Sequence, residues 1–88
     1  MNKEILERAI CHYGTAPQII KAIEELGELT TALSKWMNNY QSLKPIVDEI
    51  ADVKIMLAQL EIIFDIDIQV HNRVNFKLKR LAKRLNGI

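Results

Sequence analysis

An all-α fold, an antiparallel bundle of about four helices, is what this sequence predicts, on three observations. Apolar residues recur at helical spacing in every segment, and no segment alternates as a half-buried strand does. Glycine and proline, apart from Gly27, fall only where a helix would start or stop. The chain has 88 residues, of which 49% are hydrophobic. That is a large apolar share for one domain of this size, which by itself buries only about 60 to 70% of its surface. Residues 1–88 are therefore expected to form a single domain whose core is completed by homo-oligomerisation.

The elements follow in order. The first helix runs from about Lys3 to Tyr13, with Ile5, Leu6, Ala9 and Ile10 on its apolar side and Gly14 as a suitable residue just past its end. Cys11 falls in this apolar pattern and is expected to be a packed thiol. Thr15 is placed to cap the second helix, with Pro17 tolerated in the first turn. That helix continues to about Met37, and Ile19, Ile23, Leu26, Thr30, Leu33 and Met37 form its apolar stripe. Asn38 to Ser42 reads as a polar loop. The third helix starts near Lys44 and Pro45 and ends near Phe64; it is apolar nearly all round and so is expected to be the central element. Asp65-Ile66-Asp67 is a short turn, with Asp67 placed to cap a fourth helix that ends at Asn86-Gly87. Val70, Val74, Leu78, Leu81 and Leu85 give that helix a narrow core stripe, and Phe76 points away from it, toward an expected subunit contact.

Composition excludes some roles. A single cysteine permits no intrachain disulfide and suits a reducing cytoplasm. Met1-Asn2-Lys3-Glu4 leads into no signal-peptide apolar run. The most apolar stretch, Ile46 to Phe64, carries Asp48, Glu49, Asp52, Lys54 and Glu61, so no membrane span is expected. Net charge is +1, but unevenly spread. Residues 1–66 hold six Lys/Arg against ten Asp/Glu, a net −4, whereas residues 67–88 hold six against one, a net +5.

The acids are grouped. On a helix Glu24, Glu25 and Glu28 fall within an arc of about 100°. In the second helix alone, lying near Lys21 and Lys35, they read as a solvated charged face with i,i+3 and i,i+4 ion pairs. The third helix alters the balance. Glu49 and Asp52 lie one turn apart on a stripe that Met56, Gln59 and Ile63 continue as mostly apolar surface. Acids near a helix N-terminus are favoured by the macrodipole, which accounts for Asp48 and Glu49, but Asp52 lies a turn too deep. A carboxylate on a burying face calls for a cationic partner, and clustered carboxylate oxygens suit Mg²⁺ or Mn²⁺. In the fourth helix Arg73, Lys77, Arg80 and Arg84 form a basic ridge, read either as a solvated face or as a phosphate clamp. Trp36, on nearly the same side as Glu25, either stacks on a base or packs in the core or an interface. His12 and His71 are isolated, and no spacing suggests zinc.

Glu24-Glu25-Leu26-Gly27-Glu28, a spacer, then Glu49-Ile50-Ala51-Asp52 is the pattern E-E-x-x-E…E-x-x-D. With Asn75-Phe76-Lys77-Leu78-Lys79-Arg80 on the fourth helix, it resembles the MazG-like all-α nucleoside triphosphate pyrophosphohydrolases, in particular the short forms carried by phages and prophages. The resemblance covers roughly residues 18–84. It implies Mg²⁺-dependent hydrolysis of a nucleoside triphosphate to the monophosphate and pyrophosphate, with Mn²⁺ able to substitute, in nucleotide-pool cleaning. It implies Glu24, Glu25, Glu28, Glu49 and Asp52 as the metal-site acids, and Asn75, Lys77 and Arg80 as groups for phosphate oxygens or sugar. It also implies a homodimer or a dimer of dimers. One carboxylate not fully used as a ligand, Glu25 or Glu28, would act as general base.

Two other readings stand beside this one. A phosphoribosyl-ATP pyrophosphohydrolase has a similar acid pattern and size. A non-enzymatic helical module could use the basic fourth helix to contact a partner, although the absence of interleaved aromatic residues makes nucleic acid an unfavoured one.

Overall fold

The computed structural model describes residues 1–38 and 42–87. The described chain is all helical: α1 (Lys3–Tyr13), α2 (Thr15–Met37), α3 (Lys44–Phe64) and α4 (Asp67–Asn86). Asn39, Tyr40 and Gln41 of the expected loop lie outside the described residues.

The helix ends have local causes. Asn2 caps α1, its Oδ1 accepting from the backbone N–H of Glu4 (3.0 Å) and of Ile5 (3.4 Å). Gly14 both ends α1 and begins α2 with φ +98°, a conformation that side-chain-bearing residues rarely adopt. The cap assignment for Thr15 is therefore corrected: Thr15 is already helical, Gly14 holds the cap position, and no side chain caps α2. Likewise Asp67 is the first residue of α4 rather than its cap, which is Ile66. The turn into α4 is made by Asp65, left-handed at φ 54°. The N–H of Ile66 donates to the Glu61 carbonyl (3.0 Å) and that of Asp65 to the Ile62 carbonyl (3.1 Å), closing the end of α3 in the manner usually left to glycine.

α2 and α3 pack side by side as a long antiparallel pair, and α1 lies against both. α3 is the central element, since it meets each of the other three helices, α4 only marginally. The buried apolar set is Leu6, Ala22, Ala32, Val53 and Met56. Alanines at 22 and 32 let the α2 and α3 backbones come close.

Three expectations about faces are corrected. The stripe of α2 that packs on α3 is Gln18, Ala22, Glu25 and Ala32, turned by about 60 to 100° from the isoleucine–leucine stripe. Ile23, Leu26, Leu33 and Met37 are exposed instead. On α4, Val74, Leu78, Leu81 and Leu85 are exposed, because α4 leaves α3 at the Asp65 turn and touches neither α1 nor α2. Cys11 is exposed, not packed. The radius of gyration is 16.0 Å, against about 12 Å for a compact chain of this length. Among the described residues no helix is long and apolar enough to cross a membrane.

Candidate metal centre

The antiparallel α2–α3 pair sets the acidic turn of α2 level with the second and third turns of α3. Glu25, Glu49 and Asp52 each bring a carboxylate oxygen to within 4.8 Å of the other two. They are graded in burial: Glu25 is 5% exposed, Glu49 is half-buried and Asp52 is exposed. The opening thus lies at the Asp52 side, with Glu25 at the bottom.

The acids are only partly satisfied by the protein. Glu25 Oε1 lies 3.2 Å from Lys21 Nζ, one turn back on α2. Oε2 of Glu25 and Oε2 of Glu49 are both buried and have no hydrogen-bond partner among the described residues. A buried carboxylate oxygen without a donor costs free energy, and these two belong to side chains already held close together. The hydrogen bond to Glu25 and its negative charge raise the pKa of the Lys21 ammonium above its ordinary 10.5, with Glu24 and Glu28 adding to the effect and desolvation opposing it. Lys21 is thus an exposed cation resting on the edge of an anionic pocket. The donor set, all carboxylate oxygen and partly orphaned, fits a hard divalent cation such as Mg²⁺ or Mn²⁺.

Glu24 and Glu28 are exposed on the flank of α2. With Glu49, they line an open groove of about 590 Å³ that also takes in Gly27, Thr31, Ala32, Lys35 and Pro45. Glu49 belongs to both the triad and the groove, whereas Glu25 and Asp52 belong to the triad alone and Glu24 and Glu28 to the groove alone. Gly27 is on that wall, and a Cβ built there would meet nothing within 4 Å. The groove is within the size range of small-molecule sites.

The remaining residues singled out from the sequence lie elsewhere. Trp36 is partly exposed and does not line the groove. Asn75 pairs with His71 along α4 (Nδ2 to Nε2, 3.3 Å). Lys77 borders a shallow apolar hollow on α4 with Val70, Arg73 and Val74, and Arg80 is exposed further along the same helix. Within one chain α4 does not meet α2. Phe76 is exposed, with the Arg73 guanidinium 4.8 Å above its ring. The cation that does line the groove is Lys35. Its signal in the sequence was faint: it sits seven residues beyond Glu28, two turns along the same flank.

No family model, curated protein or solved structure matches the chain.

Proposed function

We propose that the protein is a Mg²⁺-dependent nucleoside triphosphate pyrophosphohydrolase, releasing the nucleoside monophosphate and pyrophosphate. The observation that carries this reading is the convergence of Glu25, Glu49 and Asp52 from two helices to within 4.8 Å, with buried, unpartnered oxygens on Glu25 and Glu49, beside an open groove walled by Glu24 and Glu28. Lone surface acids would repel and turn apart; these are held together by the packing of α2 on α3.

In this reading Glu25, Glu49 and Asp52 hold the ion. Bound there, Mg²⁺ would screen the triphosphate from the carboxylates and polarise the phosphoanhydride. Glu28 stands on the groove wall outside the triad and accepts the proton of the attacking water. Glu25 is less suited to that step, being buried and already tied to Lys21. Lys35 sets a positive charge on the same wall, where it binds a phosphate oxygen. The bare backbone at Gly27 admits the substrate close to α2.

The test is pyrophosphate release from each nucleoside triphosphate, and from phosphoribosyl-ATP, with Mg²⁺ or Mn²⁺. Hydrolysis of nucleoside triphosphates is expected, with Glu28→Gln lowering kcat about a hundredfold or more and Lys35→Gln raising KM. Turnover of phosphoribosyl-ATP alone would reassign the substrate, and no release from any of them would refute the reading.

A further inference from the structure

The α2–α3 pair has a second face. On α2, Ile19, Ile23, Leu26, Leu33 and Met37 project about 60 to 140° from the seam; on α3, Ile50, Leu57 and Phe64 project about 70 to 110° in the same rotational sense. Because the two helices run antiparallel, equal rotations place both sets on one side of the pair, opposite the groove walled by Glu24 and Glu28. Lys54 and Glu61, one turn to either side of Leu57, mark the α3 edge of that face, and its apolar side chains stand largely in water: Ile23 is 65% exposed and Phe64 55%.

α4 poses the complementary problem. It has 20 residues, enough to span about 30 Å, and beyond its first turn every described residue is exposed. Leu78 is 56% exposed and Leu85 60%. A lone helix of this length is marginal in water, and its stability has to come from burying an apolar stripe. The chain therefore carries a bare apolar face about as long as α4, and an apolar helix that leaves the body without covering it. Every copy holds both halves of the contact. The radius of gyration of 16.0 Å, well above the roughly 12 Å of a compact chain, has the same origin.

We infer that two copies exchange α4: the Val74, Leu78, Leu81 and Leu85 stripe of each covers the exposed apolar α2–α3 face of the other. Reciprocal exchange closes on itself as a two-fold dimer and leaves neither apolar surface exposed. It leaves both acid grooves open on the outside, and it does not depend on the hydrolase reading.

Sedimentation equilibrium over a wide concentration range should give about 20 kDa, twice the 10.1 kDa chain. In an equal mixture of isotopically labelled and unlabelled protein, isotope-filtered NOE spectra should show contacts between copies from the Leu78 and Leu81 methyls to those of Ile23, Leu26 and Leu57. Leu81→Asp should raise the dimer dissociation constant about tenfold or more. A monomer overturns the inference, and so does a dimer in which α4 gives no NOE between copies, as two α2–α3 faces packed directly together would. The NOE experiment uses the wild-type chain, so the inference stays testable if Leu81→Asp fails to fold.

Discussion

Replacing Glu25 with glutamine should make the protein more stable without divalent ions and less stable with them. The magnitude follows from the geometry. Carboxylate oxygens of Glu25 and Glu49 lie within 4.8 Å in a mostly buried corner, where two unit charges repel by about 3 kcal/mol at an effective dielectric constant of about 20. Asp52 is exposed, and its share is screened. The change also removes the pairing with Lys21, whose side chain is 53% exposed, so the loss returns only part of the gain. A net gain of about 2 kcal/mol corresponds to a rise in Tm of roughly 10 °C for a domain of this size. Wild-type protein should show the opposite dependence: an ion at about a hundred times its Kd adds about 2.7 kcal/mol, and Glu25→Gln, with one charge fewer in the site, should lose most of that. The assay is thermal unfolding by circular dichroism with and without millimolar Mg²⁺ or Mn²⁺, with sodium chloride at matched ionic strength to separate binding from screening. A wild-type Tm that divalent ions leave unmoved, or a glutamine variant less stable than wild type without ions, would refute the reasoning.

Three further outcomes are expected. Gly27→Ala adds a methyl in open space within a helix and should stabilise the protein by about 1 kcal/mol in chemical denaturation, while raising KM for any substrate that needs the bare backbone; an unchanged KM would remove Gly27 from the site. Met56→Ala, in the buried seam beneath the acids, should cost about 2 to 5 kcal/mol in urea unfolding, and a loss under 1 kcal/mol would mean that the seam is not the core. Lys21 has a raised pKa, so its favourable pairing is complete below pH 10.5 and is lost as pH rises through the folded value. Wild type without ions should therefore lose more Tm than Lys21→Met across that range, and a parallel decline would show the pair to be idle.

Much of the fold was legible because its signals are local. Gly14 marks the break between α1 and α2 since glycine alone settles easily at φ +98°, and Lys44-Pro45 marks the start of α3. The two cap assignments that moved, Thr15 and Asp67, each moved by one residue, because a neighbouring backbone took the cap position without a side chain to announce it. The convergence of the three acids was legible for a different reason. Glu49 and Asp52 share a stripe with Met56 and Gln59, both buried against α2, so any helix covering that stripe had to approach those acids.

What the wheel of α2 could not give was which of its two candidate faces meets α3. Ile19, Ile23, Leu26, Leu33 and Met37 make the stronger apolar stripe by composition, yet the seam is formed by Gln18, Ala22, Glu25 and Ala32. The weaker stripe prevails because it is thin: alanines bring the backbones close enough for Glu25 to reach Glu49 and Asp52, a distance that a layer of isoleucine and leucine would hold open. The same choice frees the bulkier stripe to face outward, where an exposed apolar surface is unfavourable until something covers it. The acid site and the bare face are therefore consequences of one rotation of α2. Turning α2 to bury its isoleucines within the chain would cover that surface and would also take Glu25 out of the seam.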